Sequence, residues 1–137
     1  MTQQPRLRIL LADDYPGLTA AWRRLLQPLH DVVGEVADGR MALKAAIDLD
    51  PDVVVVDISM PEMNGLEACR AIRSAGVQAR IVVITADGNS HLAHAAFLAG
   101  ASAFVIKHAA GTDLLRAIEA VLVGETFCST FAFSHPV

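Results

Sequence analysis

Five side chains could do chemistry together if the fold brings them to one place: the carboxylates of Asp13, Asp14 and Asp57, the hydroxyl of Thr85 and the ammonium of Lys107. Apart from the Asp13-Asp14 pair, each directly follows a short apolar run, where a buried strand would end. Two carboxylates about 4 Å apart repel by about 4 kcal/mol at an effective dielectric near 20, so three in one pocket imply a cation. Oxygen-only ligation with access to water suits Mg²⁺, which takes few protein carboxylates together with substrate phosphate oxygens. Such an ion keeps Asp57 ionised, and only an ionised carboxylate attacks phosphorus. Lys107 would then be a point charge for phosphoryl oxygens and Thr85 a neutral donor. The set implies phosphoryl transfer.

The elements that must position these residues can be read from the apolar pattern. Short Val, Ile and Leu-rich runs at 7–11, 32–36, 53–56, 81–84 and 103–106 read as five strands covered on both faces. Leu18, Ala21, Trp22, Leu25, Leu26 and Leu29 recur at helical spacing, as do Leu114, Leu115, Ile118, Val121 and Leu122. Asp38, Asn64 and Ser90 stand where N-caps precede three further helices, and Asn64 with Glu67 has the form of a capping box. Strict alternation of strand and helix predicts an α/β, doubly wound parallel sheet with helices on both faces. The expected fold is flavodoxin-like, with five strands taken in the order 2-1-3-4-5 and five helices. In such sheets ligands bind beyond the carboxyl ends of the strands, where strand order reverses. Strands 1 and 3 are then neighbours, and the three aspartates and Lys107 converge on one crevice.

With that crevice assembled, the sequence resembles the receiver domains of two-component response regulators over roughly residues 7–124. The resemblance rests on Leu11-Ala12-Asp13-Asp14, on Asp57-Ile58-Ser59-Met60-Pro61-Glu62-Met63-Asn64-Gly65, on Ile84-Thr85-Ala86, and on the stretch from Gly100 to Lys107. The Asp-Asp-Tyr-Pro opening and the Val123-Gly124-Glu125 close look most like the NarL/LuxR-type subgroup. The resemblance implies that Asp57 is the phosphoacceptor and that Asp13, Asp14, Asp57 and the Ser59 carbonyl hold Mg²⁺. It makes Thr85 the switch hydroxyl, Lys107 the partner of the phosphoryl group, and Phe104 a switch aromatic that swings inward. It also implies a sensor histidine kinase as donor, and a surface of helix 4, strand 5 and helix 5 that controls output, through transcription in this subgroup. His108 stands where many receivers have proline.

Composition excludes other classes. The 137 residues are 53% hydrophobic and 19% charged, which suits one domain with one core and not a disordered chain. With 11 basic against 15 acidic residues and a net charge of −4, nucleic-acid binding by this segment is not expected. Cys69 and Cys128 have no zinc or disulfide spacing, and no apolar run approaches the roughly 20 residues of a membrane span, so a cytoplasmic setting is expected. Residues 1–124 read as the receiver and 125–137 as a tail or a truncated linker. The tail's Phe127, Phe131 and Phe133 leave three roles open: capping the domain, pairing with a second copy in a homodimer, or belonging to a linker.

Blander readings apply to single residues. Asp13-Asp14 alone would be a turn or helix cap. His91 and His94 lack a third ligand and read as a solvated helix face. Cys69 reads as core. A stand-alone receiver acting by protein contact remains an alternative. An Mg²⁺-dependent aspartyl phosphohydrolase is the weaker rival, because such enzymes need an acid two residues after the nucleophile and Ser59 stands there. The chain is expected not to be an enzyme beyond catalysing changes to its own phosphorylation.

Overall fold

The structure, a computed structural model, describes residues 5–129. Strands and helices alternate as β1 (Arg8–Ala12), α1 (Pro16–Leu26), β2 (Asp31–Val36), α2 (Gly39–Leu49), β3 (Val53–Asp57), α3 (Gly65–Ser74), β4 (Arg80–Thr85), α4 (Ser90–Leu98) and β5 (Ala103–Ile106). A 3₁₀ turn over Lys107–Ala109 then leads into α5 (Ala110–Leu122), and a short β6 (Phe127–Cys128) follows. Every strand pair is parallel, in the order β2-β1-β3-β4-β5-β6.

The apolar runs are unbroken because both faces of the sheet are covered, and alternate residues serve opposite cores. Leu10, Val54, Val56, Val83 and Phe104 face the layer of α2, α3 and α4, where Ala46, Ile72 and Ala96 meet them. Ile9, Leu11, Val55, Ile84 and Val105 face α1 and α5 and pack on Trp22, Leu26, Leu114 and Ile118. A period of two along each strand thus divides one run between two cores. Among the described residues, no helix is long and apolar enough to cross a membrane.

Among the described residues the sheet has six strands and not the five expected from the pattern. Helix α5 ends in a Schellman arrangement: the Gly124 N–H donates to Val121 O at 3.1 Å and the Glu125 N–H to Ala120 O at 2.9 Å. Gly124 has φ of 83°, a left-handed conformation that costs glycine little, and it turns the chain back along the sheet. Phe127 and Cys128 then pair with Ala103 and Phe104. Two residues among polar neighbours carry no periodic signal, so only the backbone pairing reveals this strand. Phe131 and Phe133 lie outside the described residues.

Two smaller expectations are corrected. The N-cap of α4 is Asn89, whose side chain accepts from the Leu92 N–H at 2.9 Å, while Ser90 is already helical. Adjacent Asn and Ser are both good caps, and backbone conformation decides between them. Helix α1 stops at Leu26, leaving Leu29 exposed: Gln27 keeps helical dihedrals, but Pro28 has no N–H with which to continue the ladder. Asp38 and Asn64 cap α2 and α3, and Asn64 and Glu67 form the reciprocal capping box.

Candidate functional site

Asp13, Asp57, Thr85 and Lys107 all stand at the carboxyl edge of the sheet, at the end of β1, β3, β4 and β5 respectively. Register fixes their neighbourhood: Asp57 lies opposite Ile84, next to Thr85, and Thr85 lies opposite Ile106, next to Lys107. One carboxylate oxygen from each of Asp13, Asp14 and Asp57 lies within 4.8 Å of the others. Asp13 and Asp57 are buried, while Asp14 is exposed and opens the cluster to water.

Lys107 bridges the two buried acids, its Nζ 3.0 Å from Asp13 Oδ2 and 3.2 Å from Asp57 Oδ2. Its own pKa is raised: burial pulls it down, but the two carboxylates outweigh that. Asp57 is pushed up to about 6, first by burial and then by Asp13, against the opposing pull of Lys107 and a backbone hydrogen bond from Ser59. One lysine therefore does not satisfy this pocket.

Asp13 shows the same deficit geometrically. Its Oδ1 accepts from the Tyr15 N–H at 2.7 Å, a local turn of the kind expected of aspartate. Its Oδ2 is buried and, among the described residues, has only the charge of the Lys107 ammonium 3.0 Å away for a partner. A buried carboxylate oxygen with an unused lone pair, two further carboxylates and a solvent opening together fit a hard, oxygen-seeking divalent cation.

Mg²⁺ titration should therefore stabilise the protein, by about 1.4 kcal/mol at ten times Kd. The effect should weaken below about pH 6, where Asp57 takes up a proton. Thermal melts at pH 5.5 and 7.5 measure both. Equal stabilisation at the two pH values would assign the ion to another place.

Thr85 is buried, and its Oγ1 accepts from the Asp87 N–H at 3.2 Å, leaving the hydroxyl proton available. Ser59 is exposed on the β3–α3 loop. Phe104 is fully buried in the layer of α2, α3 and α4. His91 and His94 are exposed on α4, and Cys69 is buried in the core, its Sγ near the Ala99 carbonyl at 3.4 Å. The peptide joining Lys107 to His108 is trans.

The pattern of polar side chains did not single out Gly65. A Cβ built there would overlap the carbonyl of Asp57 and come within 2.8 Å of Ile58 Cα. The first turn of α3 is thus pressed against the backbone that carries Asp57, and the Gly65 N–H donates to Ile58 O at 2.9 Å. A glycine at a helical position where alanine would be the better helix former was the available signal. Gly65→Ala should cost about 1–3 kcal/mol by overpacking and also weaken Mg²⁺ binding, as read by urea unfolding with and without the ion. A stable variant with unchanged Mg²⁺ response would show the contact to be yielding.

A cleft of about 1000 Å³ lined by Asp50, Asp52, Arg73 and Arg80 among others contains none of the acid cluster. Arg73 is engaged there by the carbonyls of Gly100, Val77 and Ala79.

The sequence profile of the response regulator receiver domain matches residues 9–119. The chain belongs to this family. The nitrate/nitrite response regulator protein NarL of Escherichia coli K12 is 34% identical over 131 residues, covering 94% of this chain and 61% of that protein. The transcriptional regulatory protein MctR of Rhizobium johnstonii is 27% identical, covering 97% of this chain and 63% of the relative. The chain thus spans about three fifths of the length of these relatives. Among solved structures, a LuxR-family two-component response regulator from Aurantimonas sp. SI85-9A1 superposes with a TM-score of 0.85 at 39% identity, covering 90% of this chain and 89% of that one. This receiver domain is of the NarL/LuxR type.

Proposed function

We propose that Asp57 accepts a phosphoryl group from the phosphohistidine of a sensor histidine kinase in the cytoplasm, and that the resulting change controls transcription through another part of the protein. The observation carrying this reading is Lys107 Nζ held between buried Asp13 and Asp57, beside a third carboxylate open to solvent. A carboxylate oxygen of Asp57 attacks phosphorus, and a P–O bond forms as the P–N bond to imidazole breaks. The imidazole nitrogen keeps the bonding pair, takes a proton from solvent and leaves neutral. Held by Asp13, Asp14, Asp57 and the Ser59 carbonyl, Mg²⁺ would neutralise charge on the phosphoryl oxygens.

The chain's own groups do the remaining work. Lys107 moves its charge from Asp57 to a phosphoryl oxygen, and Thr85 turns its free hydroxyl proton toward another. The new group carries about −1.5 to −2 charge, which biases the loop after β4, α4 and β5 between two arrangements. On α4, Leu98 is 75% exposed and belongs to the surface that would read this change. Because the acceptor is the protein's own side chain, the chemistry is a modification of itself.

Incubation with acetyl phosphate and Mg²⁺ should add one phosphoryl mass to the peptide carrying Asp57, removable by hydroxylamine as an acyl phosphate. Label on another residue, or none, would overturn the assignment.

A further inference from the structure

Beyond β6 the chain does not leave the sheet at once. The Ser129 N–H donates to Phe104 O at 2.9 Å, and the buried Ser129 hydroxyl accepts from the Ile106 N–H at 3.1 Å. The same hydroxyl donates its proton to Asp113 Oδ2 at 2.8 Å. Ser129 is thereby hydrogen-bonded to both the acceptor and donor groups of the strand that delivers Lys107, and tied to the first turn of α5. The local support is consistent: Arg116 lies over the Phe127 ring, 5.7 Å from its centroid, and pairs with Asp113 at 3.7 Å.

We propose that Ser129, held by Asp113, is a positioning residue for Lys107, and that it couples the docking of the segment after α5 to the phosphorylation state of Asp57. The inference rests on the reading of Asp57 as phosphoacceptor. Ile106 immediately precedes Lys107, so its N–H sets the direction from which the lysine enters the crevice. In the structure Lys107 faces two carboxylates. Once it faces a phosphoryl group, any backbone shift at residues 106–107 is opposed by the Ser129 hydroxyl, and linkage makes the effect reciprocal. A docked segment favours one lysine placement, and the other placement loosens the segment. Residues downstream of Ser129 would then sense the phosphate through a backbone route that bypasses the exposed face of α4.

The test is amide hydrogen exchange on the whole chain, with Mg²⁺ and with or without acetyl phosphate, phosphorylation being followed by mass in the same samples. Phosphorylation of the wild type should change protection of Ile106 and of residues 127–129 at least threefold. Ser129→Ala and Asp113→Ala should remove that response and alter the rate of Asp57 phosphorylation severalfold, whereas Ser129→Thr, which keeps the hydroxyl, and Cys128→Ala, at an exposed side chain, should retain both. A purely structural role would lower protection in every state without changing the rate. That outcome, or a phosphorylated wild type whose segment exchanges unchanged, overturns the coupling alone. A wild type that takes no phosphoryl group on Asp57 overturns the site reading and the coupling with it.

Discussion

Asp57→Asn is expected to abolish phosphoryl labelling by acetyl phosphate while raising the melting temperature of the Mg²⁺-free protein. Loss of labelling follows from chemistry, since an amide oxygen is no nucleophile toward phosphorus. The stabilisation follows from electrostatics. In the fold Asp57 is pushed up to about 6, from 3.8, so between these values the native state binds its proton more tightly than the unfolded chain does. Stability then falls as pH rises through that window, and above it the ionised carboxylate is a standing cost. Asparagine has nearly the same shape without the charge and leaves Lys107 paired with Asp13. The gain should be about 1–3 kcal/mol at pH 7.5 and should shrink toward pH 4, where the wild-type group is neutral. Mg²⁺ should narrow the difference, because it stabilises the wild type more than the variant. Melting curves at three pH values decide this. A variant less stable than wild type at pH 7.5 without Mg²⁺ would mean that Lys107 neutralises the pocket fully.

Lys107→Met should have the opposite sign and a comparable size. It removes the cation that lies 3.0 and 3.2 Å from Asp13 and Asp57 and leaves two buried carboxylates facing each other. Removing one partner of a buried pair costs more than the pair contributes, because the remaining charge stays desolvated. The lysine side chain is 20% accessible and Asp14 admits water, so the loss should be nearer about 2–3 kcal/mol than the largest values known, or about 4–12 °C in Tm. The pH dependence identifies the cause. Lys107 is charged throughout the neutral range, its pKa being raised, so its contribution is complete below the ordinary lysine value and is lost only as pH rises through the raised one. In the variant, lowering the pH to 5 protonates Asp57 and should recover most of the loss, and Mg²⁺ at pH 7.5 should recover part of it. An equal loss at pH 5 and 7.5 would assign the effect to lost packing of the lysine stem.

These two variants act on one pocket and should not add. With Asp57 already neutralised, removing Lys107 leaves only Asp13 uncompensated, so the double variant should lose less than Lys107→Met alone.

The amino-acid sequence by itself determined the first five strands, their gathering into one doubly wound sheet and the edge on which the polar residues collect. The reason is local: valine and isoleucine runs of strand length, alternating with amphipathic helices, suit a parallel sheet covered on both faces, and such sheets cross over right-handed. Asp38 and the Asn64–Glu67 box were legible for the same reason, each cap being satisfied within four residues. Tertiary structure alone decided what depends on groups distant in the chain. The return of residues 127–129 to β5, the pressure of Gly65 on the Asp57 carbonyl, the enclosure of Phe104 and the sharing of one ammonium between Asp13 and Asp57 are all of this kind. Each is a contact of backbone or charge in three dimensions, set by how layers pack and how far solvent reaches, and hydrophobic periodicity carries no record of either.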